Sequence, residues 1–364
     1  MDLDLDAETL EFQAEVRAWL SSHVRRLSSL DTSEGFAEHR AWERELAEAR
    51  LSVVSWPEEF GGRDASLLQW LVFEEEYHSV QAPARVSQNG IFLLAPTLFT
   101  FGTDEQRKRL LPAMARADEV WAQAWSEPEA GSDLASLRST AVQCEGGWLL
   151  RGQKTWSSRA AFADKAFGLF RSDPTASRHK GLTYLMFDLK APGVTVRPIA
   201  QLDGEPGFAE IFLDDVFVPD RDVIGEPGDG WRVAMSTASS ERGLTLRSPG
   251  RFVAAASRLV SLYRANPDPA LRDRVVDAWI GAQAYRLHTF GTLARPASGP
   301  EVSVTKVFWS ELDVALHETA LDLLGEVAPE WRDGWLFSLA GPIYAGTNEI
   351  QRNVIAERLL GLPR

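Results

Sequence analysis

The chain has 364 residues, 45% of them hydrophobic and 25% charged, and a formal net charge of −14. That length supports two or three domains with a large buried core, and the acidic balance argues against nucleic acid as a partner. A single cysteine, Cys144, leaves no internal disulfide framework and fits a reducing compartment. The opening MDLDLDAETL lacks the basic and apolar segments of a secretory leader, and no apolar run approaches the roughly 20 residues needed to span a bilayer, so a cytoplasmic protein without membrane insertion is expected.

The first 120 residues carry a helical period. AETLEFQAEVRAWLSSHV places Leu10, Phe12, Val16, Trp19 and Leu20 near one face, and SLLQWLVFEEEYHSV repeats the pattern with an acidic end. Between them, VVSWPEEFGGRDA reads as a loop punctuated by proline and glycine. FGTDEQRKRLLPAM offers Thr103 or Asp104 as the cap of a short helix expected to end near Pro112. From 121 to 224 the period changes. STAVQCEGGWLLRGQKTW, KAFGLFRS, GLTYLMFDLK, GVTVRPIA and AEIFLDDVFVP are short, β-rich and separated by Gly, Pro and Asp. After IGEPGDGW the helical period returns, with Trp231, Ala234, Met235 and Ala238 at i, i+3, i+4 and i+7. Two long amphipathic stretches follow. Runs of strands kept apart from runs of helices predict an α+β fold, not a doubly wound one. The expected domains are an N-terminal helical domain over 1–120, a central antiparallel β-domain over 121–224 and a C-terminal helical bundle over 225–364.

Several familiar motifs fail. GWLLRGQKT (147–155) nearly matches a phosphate-binding loop, but Gln153 stands where the lysine is required. GEPGDG (225–230) has the wrong glycine spacing for a dinucleotide fingerprint. The six histidines show no metal spacing such as HExxH, so no metal is expected. Three stretches remain. WSEPEAGSDL (125–134) is either a loop entering the β-domain or a turn whose amides and serines, Ser126 and Ser132, face a polar ligand. GQKTWSSRAAFAD (152–164) sets Trp156 beside Ser157 and Ser158, as core or as the wall for a flat heteroaromatic ring such as isoalloxazine. TASSERGLTLR (237–247) ends a helical stripe with Glu241 and Arg242, where the carboxylate is a rim residue, an ion-pair partner or a buried base.

Together with WPEEFGG (56–62), FEEEY (73–77), LDDVFVPDRDVIG (213–225) and YAGTNEIQRNVIAERLLGLPR (344–364), these stretches resemble the acyl-CoA dehydrogenase family along nearly the whole chain. The resemblance implies an N-terminal helical domain, a central β-domain and a C-terminal four-helix bundle. It also implies FAD held between the β-domain and the C-terminal helices, with neighbouring subunits completing each flavin site. By motif, Trp125 and Ser126 edge the flavin and Ser132 lies near its phosphates, while Trp156 covers one ring face and Ser158 reaches N5. Thr347 and Glu349 touch the cofactor of an adjacent subunit. Ser132 and Arg242 face the substrate, an acyl-CoA. The implied reaction is α,β-dehydrogenation of the acyl thioester: a carboxylate takes the α-proton, the β-hydrogen passes to flavin N5, and an electron-transferring flavoprotein accepts the electrons.

Ala345 stands where the family usually keeps the catalytic glutamate. It retains the backbone N–H that resembles one oxyanion donor of the fold. Some members carry the base at the Glu of an ER pair, the position Glu241 fills, so Glu241 is expected to be the base. Two features of the family are absent or reduced: the Arg-x-x-Phe-Gly clamp after the ER pair, and the glycine-rich turn before the last segment, here LLGEVAPEW (323–331). Similar losses occur in members assembled from two different chains. The expected assembly is therefore a homo-oligomer or an α₂β₂ complex with a related chain, this chain being a catalytic half. Two alternatives stand beside the dehydrogenase: a flavin oxidase or monooxygenase on the same scaffold, and a non-catalytic subunit.

Overall fold

Local sequence signals open most of the helices. In the computed structural model, which describes residues 4–242, 248–294, 300–325 and 328–363, the chain begins with α1 (Ala7–His23), α2 (Ser33–Glu48), α3 (Leu67–Ser79), α4 (Ala95–Phe101) and α5 (Asp104–Ala115). Asp6 caps α1 by accepting from the Thr9 N–H at 2.8 Å. Ser66 with Gln69, and Thr103 with Gln106, close reciprocal capping boxes on α3 and α5. A π-helical turn, Gly90–Leu94, precedes α4.

Eight strands follow: β1 (Trp121–Ala124), β2 (Thr140–Cys144), β3 (Gly147–Ser158), β4 (Lys165–Arg171), β5 (Leu182–Asp188), β6 (Val194–Ile199), β7 (Phe208–Pro219) and β8 (Val223–Ile224). Among the described residues, six helices follow: α6 (Gly230–Arg242), α7 (Pro249–Ala265), α8 (Arg272–Ala294), α9 (Glu301–Leu324), α10 (Pro329–Leu339) and α11 (Asn348–Val354). The α+β layout of helices, sheet and helices is thus present.

The chain divides into two compact units. The first comprises Leu27–Asp64 and Ala84–Glu241. Its eight-stranded sheet has the order β6-β7-β3-β2-β4-β5-β8, with β1 paired to β4 off that path. The long pairs β3–β7 and β4–β5 are antiparallel, whereas β1 runs parallel to β4, Trp121 opposite Lys165. β5 is buried at six consecutive positions, as a strand covered on both faces must be. β6 lies at the sheet edge, where Pro198 is tolerated because its missing N–H removes no interior ladder bond. Trp148, Phe170, Phe187, Ile211 and Val216 fill the core against Phe36 of α2.

The second unit comprises Met1–Arg26, Ala65–Pro83 and Arg242–Arg364. α7, α8 and α9 pack around Phe252, Tyr285, Trp309 and Leu316, with Trp331 of α10 against them. α3 lies on α7. A Cβ at Gly250 would meet the Glu74 carbonyl oxygen at 2.8 Å, so the close approach of the two backbones requires glycine there. Arg17 grips Glu76 with two hydrogen bonds of 2.9 and 2.7 Å, joining α1 to α3.

The structure corrects several local expectations. α5 does not stop at Pro112 but continues to Ala115, because Met114 and Ala115 are buried and their packing outweighs one lost backbone bond. On α1 the buried face is Thr9, Phe12, Val16 and Leu20, while Leu10 is 50% exposed and Trp19 stacks on His23. On α6 the buried positions are Val233, Ala234, Thr237 and Ala238, so the face is rotated from the Trp231–Met235 stripe. The phosphate-loop look-alike 147–155 is strand β3, with Gln153 opposite Phe212.

Candidate active site

The end of β1 runs into the turn Ser126-Glu127-Pro128-Glu129-Ala130. Glu127 and Ala130 exchange both backbone hydrogen bonds at 3.0 Å, closing the turn tightly. Gly131 is not what shapes it, since a Cβ there would meet nothing within 4 Å. What fixes the turn is charge. Lys154 of β3 is wholly buried and its ammonium lies 2.8 Å from the Glu127 carboxylate. The same ammonium donates to the Leu169 carbonyl at 2.8 Å and the Trp125 carbonyl at 3.3 Å. Glu127 also accepts from the backbone N–H groups of Arg138 and Ser139 at 2.6 and 2.9 Å. Burial opposes the carboxylate's charge, but Lys154 and these donors outweigh it and hold the carboxyl below the ordinary glutamate range. The Thr155 N–H donates to the Ser126 carbonyl at 2.9 Å, so β3 carries the Trp125–Ser126 segment directly.

One residue further along β3 the ladder to β7 slips between Lys154 and Ser157. Trp156 occupies that bulge with φ of +58°, a left-handed conformation that strains any residue with a Cβ. Its indole is 60% exposed and meets Phe208 edge-on, with centroids 5.9 Å apart. The bulge turns an aromatic face outward from a strand that would otherwise alternate it into the sheet. Ser157 beside it is wholly buried, and its hydroxyl has no hydrogen-bond partner among the described residues. Ser158 is half-buried and pairs with Phe208 in the ladder. The fold thus brings Trp125, Ser126, Trp156 and Ser158 onto one frame. A presented indole, two serines and an orphaned buried hydroxyl fit a flat ring with polar edges. Ser132 lies outside the braced turn, exposed, and its neighbour Asp133 pairs with Arg178 at 2.6 Å.

The tail segment of the other unit is braced just as densely. Ala345 and Gly346 adopt successive left-handed conformations, φ +56° and +76°. Gln351, buried on α11, donates its amide to both of their carbonyls at 3.1 and 3.2 Å. The Asn348 N–H donates to the Pro342 carbonyl at 2.8 Å. The Asn348 side-chain oxygen accepts from Lys306 and Ser310 of α9 at 2.7 and 3.0 Å. Thr347 caps α11 by accepting from the Ile350 N–H at 3.2 Å. Glu349 is exposed. Its carboxyl is held below the usual range by its own N–H and the Thr347 hydroxyl. Upstream, Tyr344 stacks on Trp309. Half-buried Arg251 pairs with buried Asp313, whose carboxylate lies 3.3 Å from His317 Nδ1.

Glu241 and Arg242 close α6, but their side chains lie outside the described residues. Sequence reading passed over Lys154, Glu127 and Tyr184, which build the frame around Trp125, and Gln351, which braces the tail segment of the other unit. The available signal was a charged residue at inward positions of apolar segments, Lys154 in GQKTW and Glu127 in SEPEAG. Among the described residues no group of three or more His, Cys, Asp or Glu side chains is placed to hold a metal ion, and no helix is long and apolar enough to cross a membrane.

The chain matches the N-terminal, middle and C-terminal domain models of acyl-CoA dehydrogenases over residues 6–118, 122–216 and 228–360. It is 42% identical to acyl-CoA dehydrogenase IpdE1 of Mycolicibacterium smegmatis, over 98% of both chains. It is also 42% identical to IpdE1 of Mycobacterium tuberculosis, over 97% of this chain and 98% of that one. Among solved structures, the Tcur3481-Tcur3483 steroid ACAD superimposes with a TM-score of 0.86 at 26% identity, over the whole of both chains. The ChsE4-ChsE5 complex of Mycobacterium tuberculosis does so with 0.84 at 26% identity, again over both chains. The chain belongs to the acyl-CoA dehydrogenase family and is an enzyme of that class, an oxidoreductase and flavoprotein by kinship.

Proposed function

We propose that the chain binds FAD and dehydrogenates the α,β carbon–carbon bond of an acyl-CoA, with Glu241 as the base. The observation that carries this reading is Trp156, an exposed indole held in a strained conformation at a bulge within the serine-bearing strand β3, whose Lys154 clamps the neighbouring turn through a buried ion pair. Strain kept at one residue while its surroundings are over-determined is a mark of a ligand site. Trp125, Ser126, Trp156 and Ser158 would hold the flavin, Ser132 would lie near its phosphates, and Thr347 and Glu349 would touch the flavin of an adjacent subunit. FAD, when bound, supplies the two-electron acceptor that takes the β-hydrogen with its pair.

The remaining chemistry belongs to the chain. The α-proton becomes acidic only if negative charge on the thioester oxygen meets a fixed donor, and the Ala345 N–H is assigned that part. Glu241 removes the proton, and Ser132 and Arg242 hold the substrate. A positioned carboxylate base contributes on the order of 10²–10⁴ in rate. The domains are read as 1–120, 121–224 and 225–364, the location as cytoplasmic, and the electron acceptor as an electron-transferring flavoprotein. The Tcur3481-Tcur3483 and ChsE4-ChsE5 neighbours are each named for two chains, which supports an α₂β₂ assembly with a related chain. One of them is named a steroid ACAD, which makes ring-bearing acyl thioesters the first substrates to try.

The test is anaerobic mixing of the purified holoenzyme with straight-chain and ring-bearing acyl-CoA esters. Bleaching of the flavin without oxygen supports the reading. Reduction only by an external reductant, followed by oxygen chemistry, replaces it with an oxidase or monooxygenase. A Glu241→Gln protein that binds FAD and keeps full turnover removes Glu241 as the base.

A further inference from the structure

A line of polar side chains crosses the core of the sheet-bearing unit. The Trp125 indole N–H donates to the Tyr184 hydroxyl at 3.1 Å. That hydroxyl lies 3.2 Å from the Thr237 hydroxyl, which lies 2.7 Å from the hydroxyl of Thr97 on α4. Tyr184, Thr237 and Thr97 are all wholly buried. The proton count gives the line a direction. An indole only donates and each hydroxyl has one proton. Thr237 lies 3.2 Å from the Val233 carbonyl and Thr97 lies 2.8 Å from the Leu93 carbonyl. With one proton each, one of the two threonines donates to its carbonyl and the other to its neighbouring hydroxyl; in both arrangements Thr237 accepts from Tyr184 and every proton has an acceptor. The Tyr184 ring also meets the Trp125 ring edge-on, at 6.2 Å and 85°. Tyr184 thus holds both the plane and the N–H of Trp125, while Lys154 holds its carbonyl.

Thr237 sits on α6, and Glu241 follows it by four residues, one turn further along the same helix. We infer that Tyr184 is a positioning residue that, through Thr237, sets the rotation and register of α6 against Trp125, and so sets where a carboxylate at 241 stands relative to the group Trp125 edges. This rests on the assignments of Trp125 to the flavin and Glu241 to proton abstraction. The hydroxyl is the active part: a phenylalanine would fill the same space and keep the edge-on ring contact, but leave α6 without its tie to β5.

The experiment uses FAD-loaded Tyr184→Phe, Thr237→Val and Thr237→Ser in anaerobic stopped flow with the best acyl-CoA, unlabelled and α-deuterated. Tyr184→Phe and Thr237→Val are expected to slow flavin bleaching at saturating substrate about tenfold, raise the α-deuterium isotope effect and leave substrate affinity within about twofold. Thr237→Ser, which keeps the hydroxyl, is expected to bleach at the parent rate. Combining Tyr184→Phe with Thr237→Val should cost no more than either alone, because both cut one line. Parent-like rates and isotope effects in Tyr184→Phe and Thr237→Val overturn the inference while leaving the dehydrogenase reading intact. Should Tyr184→Phe fail to fold, equal rates in Thr237→Val and Thr237→Ser overturn it as well. A parent protein that no acyl-CoA bleaches overturns both.

Discussion

Trp156 keeps a bulky side chain in a conformation that suits glycine, at a bulge where nothing in the strand's own packing calls for it. Replacing it with glycine removes backbone strain of about 1–2 kcal/mol and gives up an edge contact and some unfolded-state order of similar size. Thermal stability should therefore move by only a few degrees, while FAD affinity, read by fluorescence quenching on titration, should fall about tenfold. An unchanged affinity would place the flavin elsewhere. The buried pair behaves in the opposite way. Lys154→Met leaves the buried Glu127 carboxylate without its countercharge and is expected to cost about 3–5 kcal/mol in urea unfolding. Because the folded carboxyl titrates below its ordinary value near 4.5, the unfolded chain binds the extra proton first. The stability Glu127 contributes is complete above that value and is lost as pH falls through its lower folded value. Glu127→Gln should flatten that acid limb in denaturation curves collected below pH 5.

At the scale of elements, Thr103, one of the two caps the sequence offered, is the residue that opens α5, and reciprocal capping boxes with Gln69 and Gln106 start α3 and α5. Gln106 does more than cap. Its amide also donates to the Arg221 and Val223 carbonyls at 2.9 and 2.6 Å, tying α5 to the start of β8. Gln106→Ala is expected to destabilise the protein by about 1–3 kcal/mol, and amide exchange should quicken in Val223 and Ile224 as well as in the first turn of α5. Exchange quickening confined to α5 would show that the tie to β8 carries no weight. Other element features were hidden from local pattern. Pro112 reads as a stop, yet the burial of Met114 and Ala115 carries the helix past it. β1 and β8 are four and two residues long, too short for alternation to register, and exist because β4 and β5 pair with them.

For the whole molecule, the acidic balance and the altered flavin clamp bear on assembly. Arg-x-x-Phe-Gly is missing after the ER pair, so a partner chain is expected to complete the cofactor site. Co-expression with a related chain should yield a complex holding about one FAD for every two polypeptides, since an interface-bound ligand stabilises only the assembly that completes its site. Native mass spectrometry with the 450 nm absorbance gives that ratio; one FAD per polypeptide in this chain alone would dismiss the heteromeric assembly.

The family, the order of helices and strands, and the stretches around Trp125, Trp156, Glu241 and Ala345 were legible in the sequence because each depends on neighbours within a few residues, through period, cap or motif. The tertiary structure alone decided that Lys154 meets Glu127, that the Trp125 indole answers to Tyr184 and Thr237, and that Gln351 holds both left-handed carbonyls of the tail. These contacts join positions far apart along the chain, except in the tail. Nothing local distinguishes a lysine that will be wholly buried from one that water will solvate. That difference arises only when the sheet closes over it and a carboxylate is already there to receive the charge.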